Sequence, residues 1–201
     1  MLVKQETIIV TETITDGGLL NQHLERDIRD AGYGSKLTTA KCYRTRWDMH
    51  KSSDAFALLG QGAISVAKRF YTNECDEQGN PKDYDLRVSE SWGLIYNRGD
   101  VTGVHQHWPS LWSYTYCVNG CKNCSPLVFP TVVENNEIHP EVGQLILFPG
   151  WVNHEVPEQK CDHERIMAVG NLDVDWTETR KSVSEQRLTP PPKGSNDNEY
   201  R

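Results

Sequence analysis

From residue 86 onward the chain is a succession of short β-type runs. "LRVSESWGLIYN", "VHQHW", "SLWSYTYCV", "PLVFPTVV", "GQLILFP" and "RIMAVGNLDV" alternate with the turn-forming stretches "RGD", "NGCKNCSP", "ENNEIHPEVG" and "PGW". Strands this short and this regularly spaced point to an antiparallel sandwich or barrel. There is no internal repeat, so the β region reads as one unit.

The first third of the chain has a different texture. Residues 7–14, "TIIVTETI", are β-branched and partly alternating, which predicts a strand. After the turn "DGG", Leu20, Leu24 and Ile28 recur four apart and make the apolar stripe of a helix. One further strand is expected around 38–47. Ser52 or Ser53 is placed to cap a second helix over roughly 54–71. On that helix Phe56, Leu59, Ala63, Val66 and Phe70 share a face, and Gly60 and Gly62 would permit close packing. "ECDEQGNPKD" reads as a loop, and the polar stretch 176–201, ending "TPPPKGSNDNEYR", as an extension. The expected organisation is a mainly β (α+β) single domain over 1–175. It has a helical part at about 15–72 and a β core at about 86–174.

Composition narrows the function. With 201 residues, six Trp and a net charge of −7, the chain can build a core and carries no Lys/Arg block that would mark a nucleic-acid surface. No stretch approaches 18 apolar residues, which argues against a membrane span. The polar N-terminal residues do not read as a signal peptide, so the expectation is a cytoplasmic protein (host cytoplasm if viral) with reduced thiols.

The stretch "GVHQHWPSLWSY" carries the chemistry. On a strand, His105 and His107 point to the same side and Gln106 to the other, so two imidazoles can share a metal ion. A third ligand must come from elsewhere, and His154, just past "GQLILFPGWVN", is the best candidate. His23, His50, His139 and His163 sit on a surface helix or in loops. Neutral imidazole suits Zn, Cu, Fe and Ni alike, so spacing does not name the metal.

Arg165 opens the strand "RIMAVGN", where alternation sets it on one face with Met167, Val169 and Asn171. A guanidinium on a buried strand face needs a partner, and a carboxylate is its natural bidentate mate. Two readings stand. Arg165 is a surface residue paired with Glu164 or Asp162, or it holds a small dicarboxylate beside the metal.

The pattern "YNRGDVTGVHQHWPSLWSYTY … GQLILFPGWVNHEVPEQKCDHERIMAVGN" resembles the 2-oxoglutarate- and Fe(II)-dependent oxygenases, most closely a small microbial and phage group with a His-x-His first motif. "TRWDMH" is similar to a segment that precedes the catalytic core in phage members. The match covers 90–171 well and 35–60 loosely. The resemblance implies a double-stranded β-helix (a jelly roll, cupin-like) that oxidises an unidentified substrate with O2 while decarboxylating 2-oxoglutarate to succinate. It implies His105, His107 and His154 as ligands of Fe(II), and Arg165 as the residue holding the distal carboxylate of 2-oxoglutarate. Tyr96, Ser113 and Asn171 would be cosubstrate contacts. Most of the superfamily carries a carboxylate where this chain has His107, so either three imidazoles hold the metal or His107 is not a ligand. Trp92, Trp108, Trp112 and Trp151 are candidates for lining the pocket. The prime substrate is a small molecule or a peptidyl side chain.

Alternative readings exist. "G-x5-H-x-H" from Gly99 to His107 and "G-x5-P" from Gly143 to Pro149 also fit a cupin that does not use 2-oxoglutarate, although the Glu usual in cupins is missing from residues 110–113. A jelly roll can also be a non-catalytic binding or structural module. "CVNGCKNC" has the C-x3-C-x2-C spacing of radical SAM enzymes, but only 77 residues follow it and they read as strands. A structural zinc at Cys117, Cys121 and Cys124, completed by Cys161 or His163, fits better, and the plain alternative is a Gly-containing hairpin loop with free thiols.

Overall fold

The computed structural model describes residues 7–14, 17–32, 39–71, 85–131 and 137–175. Strand β1 (Val10–Thr13) is followed by helix α1 (Gly17–Asp30), two short strands β2 (Ala40–Lys41) and β3 (Tyr43–Arg44), and helix α2 (Asp54–Tyr71). The β region then runs β4 (Leu86–Tyr96), β5 (Val101–His105), β6 (Trp112–Asn119), β7 (Leu127–Val128), β8 (Glu137–Ile138), β9 (Gln144–Pro149), β10 (His154–Val156) and β11 (Arg165–Val174). These strands form a six-stranded sheet, β1-β9-β6-β11-β4-β3, facing a five-stranded sheet, β2-β5-β10-β7-β8. Every strand pairing among the described residues is antiparallel. The 176–201 extension and the "ECDEQGNPKD" loop lie outside the described residues.

The large sheet is buried on both faces, and strict alternation divides its side chains. Ile166, Ala168 and Leu172 of β11 join Tyr114 and Tyr116 of β6 and Leu145 and Leu147 of β9 in a core shared with the helices. Met167 and Val169 point the other way, with Ile146, Phe148, Trp92 and Leu94, into a second core between the two sheets. The site lies in this second core.

The helices act as a backing plate. Leu24 and Ile28 of α1 are fully buried, as their spacing predicted; each contributes about 1.5–3 kcal/mol of burial. Ile28 sits so close to β4 that a β-carbon on Gly93 would collide with its side chain. On α2, Phe56, Leu59, Ala63 and Val66 face the core, and Gly60 packs against Val88 where a β-carbon would not fit. Gly62 has open space around it. Phe70 departs from expectation: it is 40% exposed, and Ala67 takes the inward position in the last turns. Ser53 is the cap, its hydroxyl accepting from the Phe56 N–H at 3.2 Å and donating to Asp27 of α1, which ties the two helices together.

The single strand expected at 38–47 is two. β2 pairs with β5 in the small sheet and β3 pairs with β4 in the large one. The chain crosses between the sheets at Cys42, so neither ladder can continue through it. No described helix is long and apolar enough to cross a membrane.

Candidate metal and dicarboxylate site

His105 is the last residue of β5 and His154 the first of β10. The two are direct partners in the antiparallel register, with ring centres 4.2 Å apart. A cross-strand pair of this kind delivers two imidazoles to one point without help from any loop. His107 lies just beyond the end of β5, so the strand pleat does not place it. Its N–H donates to the Gly150 carbonyl at 2.7 Å, in the turn after β9, and this holds its ring 5.0 Å from both His105 and His154. One ligand nitrogen of each histidine lies within 4.8 Å of the others.

The ring orientations follow from hydrogen bonding. Nδ1 of His105 is 2.8 Å from the Gly103 carbonyl and Nδ1 of His154 is 3.0 Å from the Val152 carbonyl. A carbonyl only accepts, so each Nδ1 carries the proton and each Nε2 keeps a free lone pair, the arrangement that orients a metal-ligating imidazole. Burial pushes His107 down to about 4, with His105 adding to the effect. Burial, then the charge of His105, takes His154 to about 3. Burial also lowers His105, against the bond to the Gly103 carbonyl. All three are therefore neutral near pH 7, the form in which imidazole binds a cation. Three neutral nitrogen donors fit Fe(II).

Arg165 is turned inward. The two carboxylates that could have held it at the surface are taken: Asp162 binds Arg98 at 2.6 Å and Glu164 binds Arg29 at 2.6 Å. Arg165 is 2% exposed, and its Nε finds no hydrogen-bond partner among the described residues. It lines the same cavity as the three histidines. A buried guanidinium with an unfilled donor, facing a cavity, fits an anionic carboxylate.

Tyr96 stands opposite Arg165 in the β4–β11 register, and the guanidinium carbon is 5.0 Å from its ring centre. Its hydroxyl is 2.7 Å from the Thr102 hydroxyl, and both residues line the cavity. Burial holds the phenol well above its ordinary pKa. Ser113 and Asn171 are buried but are not cavity-lining residues. Ser113 Oγ donates to Asn171 Oδ1 at 2.9 Å, and Asn171 Nδ2 donates to Glu90 at 3.0 Å, 3.5 Å from His107 Nδ1. They buttress the His107 end of the site, and the lining hydroxyl on β6 is that of Thr115.

The remaining walls are apolar: Leu94, Leu127, Phe148, Val156, Met167 and Val169. Trp92 is the one of the four candidate tryptophans that lines this cavity. Trp112 belongs to the core shared with the helices and, with Trp108, 71% exposed, and Trp151, lines a separate groove. Two further lining residues, Arg44 and Trp47, were not singled out as site residues. The Arg44 guanidinium carbon lies 3.9 Å from the Trp47 ring centre, and Trp47 meets Trp92 edge-on at 4.4 Å. Trp47 belongs to the "TRWDMH" segment, whereas Arg44 lies just ahead of it.

The second cluster of candidate ligands is also assembled, with one member missing. Cys121, Cys124 and Cys161 converge, whereas Cys117 points into the core between the sheets and stands outside the group. His163 is turned to Asn119, its Nε2 3.2 Å from Oδ1.

No family model matches the sequence, and no curated protein sequence matches it. Solved structures do match. The viral collagen prolyl hydroxylase of Paramecium Bursaria Chlorella virus-1, in its 2OG complex, superposes with a TM-score of 0.58 at 13% identity, covering 82% of this chain and 94% of that one. HygX from Streptomyces hygroscopicus, with nickel, 2-oxoglutarate and hygromycin B bound, gives 0.63 at 10% identity over 85% and 84%. An oxidoreductase of the 2OG-Fe(II) oxygenase family from Burkholderia pseudomallei gives 0.58 at 11% over 82% and 84%. The chain thus has the fold of the 2-oxoglutarate- and Fe(II)-dependent oxygenases, a double-stranded β-helix with two helices packed on its large sheet.

Proposed function

We propose that this protein is a 2-oxoglutarate- and Fe(II)-dependent dioxygenase. The observation that carries the reading is the sharing of one cavity by three neutral histidines and an inward-facing arginine with an unfilled donor. A cupin that does not use 2-oxoglutarate has no need of that arginine.

His105, His107 and His154 would hold Fe(II), and Arg165 would hold the distal carboxylate of 2-oxoglutarate. When bound, the pair supplies oxidation by O2 coupled to decarboxylation of 2-oxoglutarate to succinate. The chain's own part is orientation and exclusion of water. The Gly103 and Val152 carbonyls fix two imidazoles with Nε2 free. The Tyr96–Thr102 hydroxyl pair, beside Arg165, offers a further hydrogen bond to a carboxylate. Phe148, Leu127, Val156 and Met167 keep the chamber dry, which strengthens every charge interaction within it. Trp47 and Trp92, with Arg44, form the wall against which a small-molecule or peptidyl substrate would rest.

The test is 2-oxoglutarate turnover to succinate with Fe(II), O2 and ascorbate, together with binding of each component. Wild type should bind one iron and 2-oxoglutarate and form succinate. Failure to bind both iron and 2-oxoglutarate overturns the reading.

A further inference from the structure

We infer that Cys121, Cys124 and Cys161 form a second metal site, a three-thiolate site for a zinc ion, separate from the histidine cluster. The separations of the sulfurs carry the inference. Cys121 Sγ is 3.6 Å from Cys124 Sγ and 3.9 Å from Cys161 Sγ, and Cys124 Sγ is 3.6 Å from Cys161 Sγ. A tetrahedral zinc with metal–sulfur bonds of about 2.3 Å separates its sulfurs by about 3.8 Å. The three sulfurs thus already outline one face of that tetrahedron. A disulfide requires two sulfurs at about 2.05 Å and would leave the third unused.

The surroundings fit thiolates. The Cys121 N–H donates to Cys124 Sγ at 3.3 Å, and the Cys124 N–H donates to the Cys121 carbonyl at 2.9 Å, so "CKNC" forms a turn that presents both sulfurs to one side. Gln159 has no exposed surface, and its Nε2 lies 3.3 Å from Cys124 Sγ and 3.2 Å from Cys161 Sγ. The same Nε2 donates to the His163 carbonyl at 2.9 Å, and Oε1 accepts from the Ser125 N–H at 2.8 Å. A buried amide aimed at two sulfurs orients and stabilises metal-bound thiolates, as outer-shell donors do.

Zinc loading replaces three S–H bonds with three Zn–S bonds, and the protons leave to solvent. Water fills the fourth position, since Cys117 is in the core and His163 is turned to Asn119. The site joins the β6–β7 loop to the segment just ahead of Arg165. Through Gln159 it also reaches the turn after Tyr96: the Gly99 N–H donates to the Gln159 carbonyl and the Gln159 N–H to the Asp100 carbonyl, each at 2.8 Å. It therefore braces the two strand ends that carry Arg165 and Tyr96.

The experiment removes the other cluster first. The full chain carrying His105→Ala and His154→Ala is purified with reductant and zinc, desalted, and its metal measured. The expected result is one zinc per chain, with Cys121, Cys124 and Cys161 protected from alkylation until a chelator is added, as read by peptide mapping. Replacing the zinc with Co(II) should give thiolate-to-cobalt charge-transfer absorption in the near ultraviolet, which histidine ligands do not produce. Adding Cys124→Ser and Cys161→Ser should lower zinc at least tenfold. If those variants do not fold, the cobalt spectrum of wild type decides, the band supporting the site and its absence overturning it. Zinc-free protein with the three thiols freely alkylated, or a disulfide among them in fresh protein, also overturns it. Neither outcome bears on the histidine cluster.

Discussion

Arg165 faces Tyr96 across the β11–β4 ladder, its guanidinium carbon 5.0 Å from the centre of the phenol ring. Its neighbours in sequence, Asp162 and Glu164, serve Arg98 and Arg29 instead. A buried guanidinium with an unfilled donor is costly, and a dianion entering the cavity would relieve that cost.

Replacing Arg165 with Met should therefore separate binding from stability. Losing one partner of a buried charge pair costs roughly 2–5 kcal/mol, so 2-oxoglutarate affinity should fall by roughly 30- to 4000-fold, measured by calorimetry. The ligand-free variant should be as stable as wild type or more so, since an apolar side chain of similar volume removes a desolvated charge. A thermal melt without ligand checks this half.

Iron stoichiometry distinguishes the three imidazoles. His105→Ala and His154→Ala should each abolish the one-to-one iron complex. His107→Leu should weaken it by at least about tenfold, comparable to losing an orienting group at other metal sites. His107→Asp should retain one iron, because two histidines and a carboxylate also make a set that holds non-haem Fe(II). Metal analysis after dialysis reads all four.

The metal-free protein should lose stability between pH 6.5 and 4. His107 and His154 have folded pKa values of about 4 and 3, below the ordinary 6.5, so the unfolded chain binds protons in this window that the folded chain does not. Their contribution is complete above pH 6.5 and declines as pH drops toward the folded values. Melting temperature against pH should show this slope, and the His107→Gln/His154→Gln variant should flatten it. Asp27 and Asp162, lowered by their partners, act only at more acidic pH, below the ordinary 3.8.

The contact between helix and sheet can be tested with a cycle. Gly93→Ala drives a methyl into Ile28 and should cost about 1–3 kcal/mol by denaturant unfolding. Ile28→Ala alone should cost about 2–5 kcal/mol. The double variant should cost less than the sum by at least about 0.5 kcal/mol, because the cavity accepts the added methyl.

Much of the site was legible in the sequence because strands alternate. Arg165, Met167 and Val169 were placed on one face by counting in twos, and all three line the cavity. The helix stripe of Leu24 and Ile28 was legible for the same kind of reason, with a different period. What periodicity could not reach were residues placed by tertiary contacts. Arg44 and Trp47 sit on or beside a two-residue strand, too short to show any period. Cys117 shares a motif with Cys121 and Cys124, but it belongs to β6 and obeys the strand, while the other two belong to the turn that follows. Ser113 and Asn171, expected as cosubstrate contacts, hydrogen-bond each other instead of lining the cavity.

β10 has three residues, and its register with β5 slips between His154 and Val156. Backbone pairing alone therefore closes this part of the small sheet weakly. An ion gripped by His105 and His154 would act as a clasp across that seam, so emptying the site should let the seam breathe first, ahead of the broad sheet behind it. Amide exchange at Glu155 and Val156 would then rise on iron removal, while that of β11 stays slow.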